Sequence, residues 1–217
     1  MYQGVLYMNT IQKALKVLGK KNFALIIHGG SFPAISNEDT GFGTMNSAGA
    51  KALIDFADGI FTSIQLGPAG KTKSCDSSPY TSTIFSSNPL FVDLKALTTK
   101  KWGKILSEKT FNEIVENNPN KNINKTAYSY VYRKYSDALD EAYSKFLKTN
   151  IFKSEFTKFK NENEEWLDKD SLYEALSIEH KNDYSPSWHD DRDKQLFSPE
   201  SYEKRFEYGK RINSLFS

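Results

Sequence analysis

Residues 60–70 read IFTSIQLGPAG, an apolar run that ends in a Gly/Pro turn, and residues 24–27 form an earlier apolar run, ALII. Short apolar runs bounded by glycine and proline are typical of strands buried in a sheet. Between the two runs, residues 48–57 have apolar side chains at helical spacing, and Ser47 precedes them as a suitable N-cap. A strand, a helix and a strand in this order predict a βαβ unit of a parallel α/β sheet, with strands buried on both faces.

A long polar loop follows the second of these strands. It covers residues 67–89, carries Ser78 and Tyr80, and leads into another apolar run at residues 90–94, which predicts a further strand. In barrels of parallel strands, the loops at the carboxyl ends of the strands form the active site. A tyrosine in such a loop can offer its ring to the face of a sugar. His28, directly after the first strand, would lie at the same end, where it either supports the structure or contacts substrate.

The second half of the chain has a different pattern. After residue 98, Lys, Glu, Asn and aromatic residues dominate, and apolar positions recur at helical spacing. The clearest predicted helix covers residues 126–148, where Val131, Tyr135 and Leu139 repeat at every fourth position. The other helices that the spacing predicts cover residues 11–18, 111–114, 152–159, 166–176 and 198–215. We therefore divide the chain into a βαβ part, residues 1–97, and a mainly α-helical part, residues 98–217.

Composition excludes several classes of protein. The chain has 217 residues and a net charge of +2, from 29 basic and 27 acidic side chains. Neither half is strongly basic, so we expect no nucleic-acid partner. No apolar run approaches the roughly 18 residues of a membrane helix, so we expect no membrane association. The single cysteine, Cys75, fits a reducing compartment, and we expect a cytoplasmic protein.

Two short motifs resemble nucleotide-binding sequences but lack required residues. Residues 65–72 read QLGPAGKT, yet Gln65 replaces the first glycine of a P-loop and Pro68 removes an amide that would bind phosphate. Gly41 and Gly43 resemble part of a dinucleotide-binding motif, but the third glycine is missing. The three histidines lack the spacing of metal ligands, and we expect neither a cofactor nor a metal.

The order of several segments resembles the 4-α-glucanotransferase family, glycoside hydrolase family 77, which includes amylomaltase and disproportionating enzyme. The sequence reads IIHGGSFP at residues 26–33, TGFGTMN at 40–46 and IQLGPAG at 64–70, and Asp76 and Ser77 then precede SPYTSTIFSSNPLFVDL at 78–94. A weaker similarity, NENEEWLDKDSLYEAL, lies at residues 161–176. The resemblance is strong over residues 23–97 and loose over residues 155–216.

The resemblance implies an incomplete barrel with a substrate loop. The chain would supply the first two strands of a (β/α)8 TIM barrel, followed by a mainly helical insertion subdomain. Family members bind sugar through a Ser-Pro-Tyr segment beside the cleaved bond. By that correspondence, Ser78 would hydrogen-bond sugar hydroxyls, Pro79 would stiffen the turn and Tyr80 would present its ring and hydroxyl. Asp76 and His28 are further substrate-binding candidates. The implied partner is a maltodextrin or another α-1,4-glucan.

The family's chemistry is a retaining transfer of α-1,4-glucan segments. One carboxylate attacks the anomeric carbon, a second acts as acid and then base, and a sugar hydroxyl receives the glycosyl unit. The motif order implies that these carboxylates lie on later strands. We therefore expect no catalytic residue in this chain, no activity of the chain alone, and an association with the C-terminal part of the barrel. Among the acids present, Asp93 fits a turn or a helix cap, and Asp190, Asp191 and Asp193 fit a solvated run.

Two alternative functions stay open at this point. A non-catalytic α-glucan-binding module would keep the Ser-Pro-Tyr segment and would lose its affinity for maltodextrin on Tyr80→Ala. The other alternative is a helical protein-interaction domain at residues 100–217, although aromatic stripes on helices more often form a core.

Overall fold

The structure of the chain is a computed structural model that describes residues 2–73, 77–80, 86–121, 123 and 125–196. The chain divides into two compact units, Met1–Ile151 and Phe152–Ser217. Within the described ranges, no helix is both long and apolar enough to cross a bilayer. The predicted helix at residues 198–215 lies outside the described residues, and the boundary at residue 97 stays a prediction.

The first unit contains the predicted βαβ unit. A helix, α1 (Tyr2–Val17), comes first, and the βαβ unit follows as β1 (Ala24–Ile27), α2 (Ala48–Ala57) and β2 (Ser63–Leu66). The two strands pair in parallel, with Ala24 opposite Ser63 and Ile27 opposite Leu66. The chain is therefore a mixed α/β protein with a two-stranded parallel sheet in its described part.

The ends of these elements are explained by local hydrogen bonds. The Ser47 hydroxyl accepts a hydrogen bond from the Ala50 amide at 3.1 Å, so α2 begins where the sequence predicts. β2 begins at Ser63 rather than at Ile60, because the Ile60 amide donates to the Ala57 carbonyl at the end of α2 and cannot also donate to the sheet.

The prediction that the strands are buried on both faces is wrong. In β1, exposed residues alternate with half-buried ones, and Ile26 is 70% exposed. Ile26 lies opposite Gln65 in the register, and paired residues of a parallel sheet project to the same side. The face that carries these two residues is open to solvent, since the described part of the chain adds no layer over it.

The predicted strand at residues 90–94 is also wrong. A turn of 3-10 helix, Pro89–Phe91, and a short helix, α3 (Leu94–Leu97), occupy this segment. The Asn88 side chain accepts the Leu90 amide at 3.0 Å, which starts the 3-10 turn, and Pro89 has no amide to give to a sheet. The apolar residues of the segment are buried as a helical edge of the core rather than as a strand.

The core of the first unit lies between α4 (Glu108–Glu116), α5 (Tyr128–Leu147) and the loops that follow the strands. Its buried members are Phe42, Leu90, Leu94, Leu97, Leu106, Phe111, Ile114, Val115, Ala127, Val131, Tyr135, Ala138 and Ala142. The stripe predicted for residues 126–148 is confirmed at Val131 and Tyr135. Burial raises the pKa of the Tyr135 phenol far above its usual range, and its hydroxyl shares a hydrogen bond with Thr40 Oγ1 at 3.0 Å.

The second unit is built on one long helix, α6 (Lys153–Glu179), where the spacing predicts two segments. A short helix, α7 (Asp191–Gln195), follows. A small core joins them through Leu172, Leu176, Trp188 and Leu196. The predicted solvated acidic run is wrong at Asp193, which is 1% exposed and lies 2.8 Å from His180 Nε2. This contact spans 13 positions of the chain, so a local charge pattern does not reveal it.

Candidate functional site

Both strands of the sheet end at the same edge because they are parallel. His28 follows β1 and Gly67 follows β2. The Gly67 amide donates to the Ile27 carbonyl at 3.0 Å, so the two segments leave the sheet side by side. A Cβ on Gly67 would lie 3.3 Å from His28 Cδ2, and glycine suits this close approach. The structure therefore brings the candidate His28 to the start of the polar loop.

His28 has a structural role at this edge. Its Nδ1 accepts a hydrogen bond from the Gly30 amide at 3.2 Å and caps the 3-10 turn Gly29–Ser31. An accepting Nδ1 assigns the proton of the neutral ring to Nε2, which is then a hydrogen-bond donor. The ring is half-buried. His28 therefore caps a turn at this edge, and its contact with substrate stays a prediction.

The polar loop is closed at its base by two short segments, residues 69–72 and 87–88, which we name the stem. Gly70 and Ser87 form an isolated antiparallel bridge. The Asn88 amide donates to the Ala69 carbonyl at 2.8 Å. Asn88 Nδ2 donates to Thr72 Oγ1 at 3.1 Å, and both of these residues are buried. The stem therefore fixes the two points between which the loop extends.

Helix α5 holds the stem through a residue that the sequence pattern did not single out. The Tyr132 hydroxyl donates to the Thr72 carbonyl, 60 positions earlier in the chain. One turn before it, the Tyr128 ring packs edge-on against Phe42 at 5.9 Å between centroids, and Phe42 packs against Phe91 at 5.7 Å. The sequence signal that could have indicated this contact is the pair of tyrosines at i and i+4, beside the apolar stripe of α5.

The tip of the loop carries three of the predicted site residues. Tyr80 is 80% exposed, whereas Ser78 and Pro79 are half-buried. The Ser78 hydroxyl accepts the Tyr80 amide at 3.4 Å, a contact typical of serine-containing turns. An exposed tyrosine ring, two residues after a serine hydroxyl in the same turn, is suited to stack on a sugar face while the serine hydrogen-bonds the sugar hydroxyls. The fourth candidate of the loop, Asp76, lies outside the described residues.

Two of the remaining candidate acids cap helices. Asp93 Oδ1 accepts the Ala96 amide at 3.2 Å and caps α3, as the helix-cap prediction states. Asp190 caps α7 in the same way. Residues 67–73 contain no helix, so the P-loop-like sequence lacks the helix N-terminus that would bind phosphate. Across the described ranges, no group of three or more His, Cys, Asp or Glu residues is suited to hold a metal.

A tyrosine exposed on a loop that begins at the carboxyl end of a parallel strand and is fixed at its stem defines a candidate carbohydrate site on an α/β unit. The profile of glycoside hydrolase family 77, described as 4-alpha-glucanotransferase, matches residues 31–214. The chain belongs to this family, as the order of its segments predicts. A search among curated proteins gives no match to the chain. The matched range includes the stem and the tip of the loop and begins shortly after His28.

Proposed function

We propose that the chain is part of a 4-α-glucanotransferase, which transfers α-1,4-glucan segments between maltodextrins by a retaining double displacement. Family membership and the βαβ unit support this proposal. In it, β1 and β2 are the first two strands of a (β/α)8 barrel, and residues 98–217 are a helical insertion. The single cysteine supports a cytoplasmic location for such a protein.

The exposed ring of Tyr80, on a loop whose stem is held by buried hydrogen bonds, is the observation that carries the proposal. A ring that is largely exposed contributes little to the core, and covering it with a sugar would remove apolar surface of both partners from water. Ser78 would donate to or accept from the sugar hydroxyls, and Pro79 would limit the turn to one conformation. His28 and Asp76 would border the same sugar.

The chemical step needs two carboxyl groups about 5 Å apart on either side of the glycosidic bond. The family resemblance assigns neither of them to residues of this chain, and Asp93 and Asp190 are engaged in helix caps. We therefore propose that this chain binds the glucan and that the C-terminal part of the barrel, associated with it, supplies the carboxylates. The chain alone is expected to form no glucose or longer maltodextrins from maltotriose.

The test of the sugar site compares two exposed tyrosines. Tyr80→Ala removes the proposed platform, whereas Tyr184→Ala removes a ring that is also exposed but lies in the second unit. We expect the wild-type chain and Tyr184→Ala to be retarded in an amylose gel, and Tyr80→Ala to migrate as in a gel without amylose. Equal retardation of Tyr80→Ala and the wild-type chain would show that Tyr80 is not the platform.

A non-catalytic α-glucan-binding module is the second candidate, because the same exposed ring supports it. The two candidates differ in whether glucan binding leads to a chemical step. Addition of the C-terminal part of the barrel should restore transfer on maltotriose if the chain is part of an enzyme. Glucan binding without transfer, in the presence of that part, would favour the binding module.

A further inference from the structure

We infer that Tyr132 is a positioning residue for the glucan loop: its hydrogen bond to the Thr72 carbonyl holds the stem so that Tyr80 meets the sugar in a fixed place. This inference rests on the proposed function of the loop. Tyr132 lies on α5, and the bond joins that helix to the start of the loop. Tyr132 does not itself belong to the proposed sugar site.

The geometry of the stem supports this role. Thr72 is fully buried and receives two bonds from distant residues, one at its carbonyl from Tyr132 and one at its hydroxyl from Asn88. On the other side of the loop, Asn88 also organises the 3-10 turn that comes next in the chain, through its bond with the Leu90 amide. One buried residue thus connects the outgoing segment, the returning segment and helix α5.

The neighbouring turn of α5 is linked through Phe42 to the segment that follows the stem. The Tyr128 ring packs on Phe42, which packs on Phe91, and Phe91 belongs to the 3-10 turn directly after the stem. Tyr128 and Tyr132 are four residues apart on one face of the helix. Tyr132 bonds directly to the start of the loop, and Tyr128 reaches the segment after the stem through Phe42.

A fixed stem matters because binding must otherwise order the loop. Closing a loop has an entropic cost that increases slowly with its length, and each side chain that becomes ordered on binding adds to the loss. A stem that is already held reduces this loss when Tyr80 and Ser78 engage a sugar. Without the Tyr132 bond, the same contacts would form with a lower affinity.

The test uses a matched pair of tyrosines on α5 in the full chain. Tyr132→Phe removes the bond to Thr72, whereas Tyr130→Phe removes a tyrosine–carbonyl bond of the same kind, from Tyr130 to the Ile114 carbonyl of α4 at 2.8 Å, which does not involve the stem. We expect Tyr132→Phe to weaken maltodextrin binding in an amylose gel about 3–10-fold and Tyr130→Phe to change it less than about twofold. Thr72→Val, which removes the hydroxyl that accepts from Asn88, should act like Tyr132→Phe and serves if that variant does not fold.

Limited trypsin digestion provides a readout that needs no glucan. The stem has Lys71 within it and Lys73 directly after Thr72. We expect trypsin to cleave at these two lysines faster in Tyr132→Phe than in Tyr130→Phe. The thermal stability of the two variants should be equal, so that a difference in cleavage reports on the stem. Faster cleavage with unchanged maltodextrin affinity, while Tyr80→Ala loses its affinity, would overturn the positioning role. Cleavage and affinity equal to those of Tyr130→Phe would overturn it as well.

The two proposals fail in different ways. If Tyr80→Ala binds maltodextrin as the wild-type chain does, the sugar site is wrong and the positioning role for that site is overturned with it. If Tyr80→Ala loses binding and Tyr132→Phe does not, only the inference about Tyr132 is wrong.

Discussion

Asp193 is buried and pairs with His180, although its sequence neighbours indicate a solvent-exposed acidic run. Its Oδ2 lies 2.8 Å from His180 Nε2, and the imidazole stacks on Trp188 at 5.0 Å between centroids with an interplanar angle of 7°. Trp188 in turn donates from its indole nitrogen to the Asn182 carbonyl at 2.7 Å. The small core of the second unit is therefore organised around one carboxylate, one imidazole and one indole.

Asp193→Ala should destabilise the second unit by about 2–4 kcal/mol, because it removes one partner of a buried pair and leaves the His180 ring without its carboxylate. Asp191→Ala is the matched control, since the Asp191 side chain is 82% exposed and its ion pair with Lys194 should contribute less than about 0.5 kcal/mol. Denaturant unfolding followed by tryptophan fluorescence measures both. Equal midpoints for the two variants would contradict the assigned role of Asp193.

At the scale of elements, Glu141 joins α5 to the start of α4. Its carboxylate accepts the Ser107 amide at 2.9 Å, the Thr110 hydroxyl at 2.5 Å and the Lys145 ammonium at 2.6 Å. Ser107 is also the N-cap of α4, through its bond with the Thr110 amide. Partial burial acts to raise the pKa of Glu141, but the hydrogen bonds from Lys145, Thr110 and Ser107 outweigh it and lower the pKa to about 2.

The sign of the resulting pH dependence is set by this lowered pKa. A carboxyl group that is more acidic in the folded chain stabilises the fold above its unfolded pKa, about 4.5, and loses that contribution as the pH falls toward 2. Glu141→Gln should cost about 1–2 kcal/mol at pH 7, discounted because the side chain keeps contact with solvent. The difference in unfolding free energy between the wild type and Glu141→Gln should shrink between about pH 4.5 and pH 2.

Thermal unfolding at a series of pH values measures this dependence. Glu113→Gln is the control, since Glu113 is exposed on α4 and its pair with Lys109, at 3.8 Å, is weak. A difference between wild type and Glu141→Gln that does not vary with pH would show that the carboxylate charge does not hold the two helices together.

Elements with complete local signals can be predicted from the sequence. The N-cap at Ser47 and the apolar spacing that follows it indicate α2, a helix of 10 residues. The apolar stripe at residues 126–148 indicates α5, a helix of 20 residues. The strand prediction for residues 90–94 is wrong because a short apolar run has no period that separates a strand from a buried helical turn. There the outcome depends on the side chain of Asn88, which bonds to the Leu90 amide.

Contacts between distant parts of the chain cannot be predicted in this way. Tyr132 meets Thr72 across 60 positions, and Tyr135 meets Thr40 across 95. Neither hydroxyl has a sequence neighbour that identifies its partner. The tip of the candidate site, Ser78 to Tyr80, can be predicted from the order of the family's segments. The stem that holds it can be identified only in the folded chain.

At the scale of the whole molecule, the exposed face of the sheet has a consequence for behaviour in solution. Parallel sheets are usually covered on both faces, and a strand that lacks a neighbour presents unpaired amides and carbonyls. Here Ile26 projects from the open face of β1, and the described residues place no third strand beside the pair. We expect the chain alone to self-associate at high concentration through this face.

Ile26→Lys should reduce that association, because a lysine on an exposed strand opposes the approach of a second sheet through its charge and hydration. It should leave the stability of the chain within about 0.5 kcal/mol, since the replaced side chain is largely exposed. Ile178→Lys, at an equally exposed isoleucine on α6, is the control and should not alter association. Sedimentation velocity over a range of concentrations measures both variants. Association that persists unchanged in Ile26→Lys and disappears in Ile178→Lys would place the contact on α6 instead of the sheet.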